Sequence, residues 1–317
     1  MEEDFCPMII TVTLNPALDK TVTVSRLMIN GVNRVASTRL DAGGKGINVS
    51  KTVKALGGET LAMGILGGES GIYIRHSMER LGIRSSFCFV EAPTRTNIKI
   101  VDNSMHTSTD INERGEPVDD ATLDAVFENL CREAKPGDTV VFAGTNPPGT
   151  RPSLLADWTR ILKERGIRVC LDATGETMRL GLAAGPYLIK PNKEELEEIC
   201  GRRLYFDVDV IAAAKELIAR GVERVAVSLG PEGGLFVTED QVLRAYGLRV
   251  PVVSTVGSGD AMMAALAYYL QEGMEWRDVV ARSIAVSAAQ VTRPGSEPAE
   301  LPEIEALIGQ VRIDELM

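Results

Sequence analysis

From about residue 138 onward, short β-branched runs alternate with stretches whose apolar positions recur at helical spacing. Residues 138–143 read as a strand, 152–165 as an amphipathic helix, and 167–171 and 187–190 as further strands. A charged helix over 194–200 is closed by Gly201 and a longer one over 208–220 by Gly221; residues 224–228 make another apolar strand. Strand–helix alternation at these spacings predicts a parallel sheet covered on both faces.

The first third has a different texture. Residues 8–14 form a strongly apolar strand, but 21–24, 35–40, 86–90 and 96–101 are short, β-rich and partly polar. They predict a small second sheet, inserted from roughly 14–40 and 86–112 into a single domain over 1–317, because no Pro/Gly/Ser-rich linker intervenes. Residues 300–317 read as a C-terminal surface helix with an acidic end.

Composition narrows the class. Hydrophobic residues are 44% and charged residues 25% of the 317, which excludes a disordered chain, a collagen-like repeat and a small disulfide scaffold. Lys plus Arg is 34 against 44 Asp plus Glu, a net charge of −10 that argues against a nucleic-acid partner but not against a local basic pocket. Cys6, Cys88, Cys131, Cys170 and Cys200 form no C-x-x-C pair, so neither a zinc site nor a disulfide framework is read. His76 and His106 lack neighbours at metal-ligand spacing and read as surface residues. The first five residues are acidic, without the basic start of a signal peptide. No uncharged apolar run reaches the ~18 residues of a membrane span. A cytoplasmic protein with no membrane partner is expected.

Four motifs could carry chemistry. In Asp41-Ala-Gly-Gly-Lys-Gly-Ile-Asn48, clustered glycines before a helix expose amides to an anion or hydroxyl, and Lys45 adds charge. It is not a P-loop, and a plain strand-to-helix turn with a solvated lysine reads equally well. In Ser254-Thr-Val-Gly-Ser-Gly-Asp260, three successive amides at a helix start make an anion nest, with Asp260 in the first turn. A carboxylate beside such a nest could deprotonate a hydroxyl attacking a phosphoryl group; it could equally be a first-turn acid favoured by the helix dipole. Asn192 and Glu195, three apart at a helix start, either face a ligand at the end of a parallel strand or form a capping box. The fourth, Ser228-Leu-Gly-Pro-Glu-Gly-Gly234, is a glycine-rich turn after a strand, and a hairpin turn is its ordinary explanation.

In this order, the motifs resemble the ribokinase superfamily, specifically phosphofructokinase-B type carbohydrate kinases, along almost the whole chain. Gly43-Gly-Lys-Gly-Ile-Asn-Val-Ser50 with Gly57 and Gly67 is similar to the family's N-terminal signature, and residues 254–266 to its C-terminal signature. Thr13-Leu-Asn-Pro-Ala-Leu-Asp19 and Thr94-Arg-Thr-Asn-Ile-Lys99 look most like the 1-phosphofructokinase branch. The resemblance implies a ribokinase-like three-layer α/β/α sandwich, with a mainly parallel central sheet and a small β-sheet lid. It implies an ATP- and Mg²⁺-dependent transfer to a phosphorylated ketohexose, foremost fructose 1-phosphate, with tagatose 6-phosphate or fructose 6-phosphate as alternatives. A sugar-phosphate sensor is the non-enzyme alternative. By the same resemblance Asp260 is the base, and Gly257, Ser258 and Gly259 form the anion hole. Asp19, Gly43, Gly44, Lys45, Asn48 and Arg95 bind the substrate, Lys45 and Arg95 taking its existing phosphate. Asn192, Ser228, Gly230, Gly233, Thr255, Gly257 and Gly259 line the nucleotide, and Asn192 and Glu195 hold Mg²⁺ through water. A homodimer through the lid sheet is expected. One departure is Ala143-Gly-Thr-Asn-Pro-Pro-Gly149, where Asn146 replaces an apolar residue near the sugar-phosphate position.

Overall fold

The computed structural model describes residues 7–316; the acidic first five residues, Cys6 and Met317 lie outside them. Among the described residues a ten-stranded sheet forms the middle layer. Its parallel part comprises β1 (Ile9–Thr13), β4 (Thr60–Gly67), β5 (Arg84–Val90), β8 (Thr139–Ala143), β9 (Arg168–Asp172), β10 (Leu188–Ile189) and β11 (Val225–Ser228). β12 (Gly233–Val237), β13 (Val242–Tyr246) and β14 (Ile313–Glu315) extend it antiparallel. The spatial order is β14-β13-β12-β11-β10-β9-β8-β1-β4-β5.

Strand side chains alternate between two cores, as a sheet covered on both faces requires. Ile10, Val12, Val140, Phe142, Val169 and Leu171 face a core closed by α3 (Asp120–Glu133), α4 (Leu154–Glu164) and α7 (Asp207–Ile218). Ile9, Val141, Cys170 and Ala226 face the opposite core, under α1 (Lys45–Ala55), α8 (Ser258–Gln271) and α9 (Trp276–Gln290). The mainly parallel three-layer sandwich expected from the sequence is therefore present.

A separate four-stranded sheet, ordered β3-β2-β6-β7, consists of β2 (Ala17–Val24), β3 (Val35–Gly43), β6 (Arg95–Asp102) and β7 (Thr107–Asn112). Register gives it two unlike faces. Asp19 pairs with Asp41 and Asn97, and Thr21 with Arg39 and Lys99, in rows that line a cleft of about 1100 Å³. The alternate rows, Lys20 with Leu40 and Ile98, and Val22 with Thr38 and Ile100, point the other way.

Two expectations are corrected. Residues 86–90 belong to the main sheet, where β5 pairs with β4; its polar texture is that of an edge strand, with Cys88 and Val90 packed on one core. The chain's end is not one helix: α10 (Leu301–Ile308) stops at Gly309, and the last described residues supply β14 to the sheet edge.

Gly64 fixes how closely β4 approaches the end of β1. Its φ is +144°, and a Cβ there would lie 1.9 Å from the Thr13 carbonyl oxygen. Gly64→Ala is expected to cost at least about 1–3 kcal/mol, the scale of core overpacking, read as a lower urea midpoint at unchanged m-value.

Candidate active site

The C-terminal ends of adjacent parallel strands place a row of polar groups along one edge of the sheet, where open α/β folds bind ligands. Asp172 ends β9, Lys190 follows β10, and Ser228 ends β11 beside Asn192. Opposite them stand the N-termini of α1 and α8, carrying Lys45 and the glycine nest.

Asp172 is 1% exposed, and a carboxylate so buried must be paired. Lys45 Nζ donates to its Oδ1 at 2.8 Å, and Lys190 Nζ lies 3.4 Å from its Oδ2. Burial alone would push the Asp172 carboxyl up; Lys190 and Lys45 outweigh it and hold the group below the ordinary carboxylate range. Lys45, despite burial, is held above its usual value chiefly by Asp172, with Asp260 and Glu195 also in its field. Asp172 and Lys190 were not singled out in the sequence. The signal available was a charged residue closing an apolar parallel strand.

Asp260 lies in the first turn of α8 and is 8% exposed. Gly257, the residue that starts this helix, has φ +77°, a left-handed conformation that turns the following amides toward a common point. Asn48 Nδ2 donates to Asp260 Oδ2 at 2.8 Å, so α1 and α8 meet at the carboxylate. Burial, then the nearby charge of Asp172, push the Asp260 carboxyl up to about 6, against the opposing pull of Asn48, Lys45 and Lys190. Asn48 Oδ1 is buried and has no hydrogen-bond partner, an acceptor available to a ligand hydroxyl. Lys190 also reaches the nest: a Cβ on Gly259 would lie 3.4 Å from its ammonium. Behind the nest, the Thr255 carbonyl accepts from the Ser258 amide at 3.4 Å.

The remaining candidates fall into distinct groups. Gly43 allows Asp19 to approach: a Cβ there would sit 2.0 Å from Asp19 Oδ2. Asp19 accepts from Asn97 Nδ2 at 2.9 Å, and burial raises its carboxyl above the usual value. Gly44 has φ +115° and packs against Thr13 and Pro16. Asn192 and Glu195 do form a capping box, each side chain accepting from the other's amide at 2.8–2.9 Å. Residues 228–234 do turn β11 into the antiparallel β12. There Gly233 is demanded by packing, 2.3 Å from the Ala245 carbonyl to a would-be Cβ, whereas Gly230 opens on space.

Lys45 and Arg95 are bonded to different partners. The Arg95 guanidinium donates to the carbonyls of Glu113 at 2.8 Å, Asn15 at 3.2 Å and Pro16 at 3.3 Å, at the lid hinge. Lys45 is committed to Asp172, beside Asp260. Asn146 is joined to Thr177 at 3.4 Å, and Asn15 Nδ2 contacts Thr145 Oγ1 at 3.3 Å. Exposed His76 and His106 stand apart from any group of three metal-ligating side chains, none of which occurs among the described residues. Cys88, Cys131, Cys170 and Cys200 are free thiols. No helix among the described residues is long and apolar enough to cross a membrane.

This geometry can be set beside known proteins. The family model of pfkB family carbohydrate kinases matches residues 12–304. A 1-phosphofructokinase of Vibrio cholerae is 36% identical over 308 residues, covering 97% of each chain. That of Xanthomonas campestris is 41% identical over 263 residues, 81% of this chain and 82% of its own. The crystal structure of phosphofructokinase-2 from Escherichia coli in complex with substrates and products superposes with a TM-score of 0.92 at 27% identity, over 96% of this chain and 99% of that one. A motif series running from Gly43 to Asp260, the sandwich with its lid, and a match over nearly the whole chain converge: the protein belongs to the pfkB family of carbohydrate kinases, phosphotransferases that act on a sugar hydroxyl with ATP as donor.

Proposed function

We propose that the protein phosphorylates the free primary hydroxyl at C6 of fructose 1-phosphate, with Asp260 as general base. The observation that carries the reading is the position of Asp260, a buried carboxylate with a pKa of about 6, between Asn48 and a glycine nest. In the deprotonated form it accepts the hydroxyl proton as the oxygen attacks in line. The amides of Gly257 and Gly259 donate to the transferred phosphoryl oxygens, where charge spreads in the transition state, and that of Ser258 joins them on exchanging its long bond to the Thr255 carbonyl. Lys190 and Lys45 add positive charge at the same point, so we assign Lys45 to the transfer end rather than to the sugar's existing phosphate. Asn48 Oδ1 and Asp19 receive sugar hydroxyls, with Gly43 and Gly44 giving the ring close access. Ser228, Gly230, Gly233, Thr255 and Asn192 border the nucleotide along the strand ends. Asn192 and Glu195 suit Mg²⁺, which keeps several waters and needs only one or two protein oxygens beside the donor's phosphates. Bound there, Mg²⁺ supplies charge neutralisation to the phosphates.

Arg95 is left to read the substrate's own phosphate from the lid hinge, exchanging backbone carbonyls for phosphate oxygens. The names of the curated relatives favour fructose 1-phosphate. A structural neighbour at TM-score 0.90 was solved with fructose 6-phosphate, which makes that isomer the second reading. We further assign the outward lid face, where Leu40 is 38% and Ile111 52% exposed, to contact with a second copy of the chain.

Four outcomes test these assignments. Activity should be full above the Asp260 pKa and fall as pH drops through about 6, because protonation removes the base. Asp260→Asn should lower kcat by roughly 10²–10⁴ and abolish that acid limb; more than about a tenth of wild-type kcat would refute the role. Across fructose 1-phosphate, fructose 6-phosphate and tagatose 6-phosphate, ADP release should give the highest kcat/KM with fructose 1-phosphate. Arg95→Ala should cost about 1.5–3 kcal/mol in kcat/KM for the phosphosugar, the scale of a hydrogen bond to a charged group, and much less for free fructose.

A further inference from the structure

Lys51 lies on α1 one turn beyond Asn48, on the same helix face, and is 6% exposed. Its ammonium donates to the Ala42 carbonyl and to Ser296 Oγ, both at 2.8 Å. Ala42 is the next-to-last residue of lid strand β3, which ends at Gly43; Ser296 belongs to the turn that follows α9. Burial lowers its pKa to about 8, against the pull of the Asp41, Asp19 and Asp260 carboxylates and with a small contribution from Arg39.

The turn that Lys51 holds is wedged between the two halves of the site. On one side, a Cβ on Gly295 would come within 2.8 Å of Asp41 Oδ2 and 3.2 Å of Arg39 Cζ, both on the lid. Arg39 also reaches Glu297 at 3.7 Å. On the other side, a Cβ on Gly257 would lie 3.9 Å from Ser296 Cα. The lid, the 295–296 turn and the glycine nest thus pack in series, and one buried ammonium bonds the first two from behind.

Building on the kinase reading above, we propose that Lys51 is a positioning residue: it fixes the lid root and the 295–296 turn in register. Seating the sugar under the lid and shaping the nest for the phosphoryl group then become one event. A buried lysine suits this task because its strongly hydrated charge tolerates few alternative places once water is excluded. If the lid root shifts, the ammonium either carries Ser296 with it or loses a bond in a dry site.

The test uses the intact protein and its Lys51→Met, Lys51→Arg and Ser296→Ala variants. Calorimetry gives the Kd of AMP-PNP with Mg²⁺, with and without whichever of fructose 1-phosphate, fructose 6-phosphate or tagatose 6-phosphate has the best wild-type kcat/KM. The wild type should show sugar-induced tightening within the usual range of about 5–150-fold. Lys51→Met should bring that ratio to within twofold of one, Ser296→Ala should reduce it in part, and Lys51→Arg should retain it. Without ligands, hydrogen exchange at residues 38–43 and 292–297 should quicken together in Lys51→Met and in Ser296→Ala. An unchanged ratio in both variants, or no coupling in the wild type, overturns the proposal; if Lys51→Met does not fold, Ser296→Ala decides alone. Binding of none of the three sugar phosphates to the wild type would refute the substrate reading instead, and the exchange comparison would still decide the role of Lys51.

Discussion

A carboxylate that has lost its water must be held by opposite charge, and Asp172 is held by two lysines from different parts of the chain. Lys45 opens α1, Lys190 follows β10, and Asp172 itself closes β9. Satisfying one buried charge therefore draws the start of α1 and two strand ends to a single point. Lys190, buried with it, in turn needs the carboxylate, since removing one partner of a buried pair costs about 3–5 kcal/mol through the charge left behind. Architecture and electrostatics are the same constraint here: the strands cannot be spaced differently without stranding a charge.

The constraint also sets the chemistry. Asp260 stands next to this cluster and feels both signs, with burial and Asp172 raising its pKa and the lysines and Asn48 lowering it. A carboxyl raised to about 6 results, which suits the general base proposed for it. Lys190 is pinned by Asp172 beside the glycine nest, so in the proposed transfer its charge would not have to be gathered at the moment of reaction. The lid completes the arrangement with a polar inner face, where Asp19, Arg39 and Lys99 border the cleft, and a more apolar outer one.

Much of this was legible from residue order. Alternating apolar strands and helices gave the sandwich, and the glycine clusters at 43–46 and 257–259 gave both helix starts that meet at Asp260. The structure also forms the plain alternatives at two motifs, since Asn192 and Glu195 do cap their helix and residues 228–234 do turn a hairpin. Such local roles and ligand roles are compatible, because a cap uses only some of the polar atoms. What could not be read was long-range: Asp172, Lys190 and Lys51 look like ordinary charged residues until folding pairs Asp172 with Lys190 and buries Lys51 against Ala42 and Ser296. Residues 86–90 read as a lid strand because an edge strand of a large sheet shows the same half-polar pattern, yet they belong to β5 of the main sheet. Lys45 and Arg95 looked like partners in sequence, yet each is committed to a different neighbour, Asp172 and the lid-hinge carbonyls.

The pH dependence of kcat/KM in Asp172→Asn tests the account at its centre. Removing the negative charge leaves Lys45 and Lys190 uncompensated beside Asp260, so the carboxyl should ionise more readily. The acid limb should therefore move to lower pH than in the wild type, even if kcat falls and the protein loses stability. An acid limb at the wild-type position, or at higher pH, would contradict the claim that this buried cluster sets the basicity of Asp260.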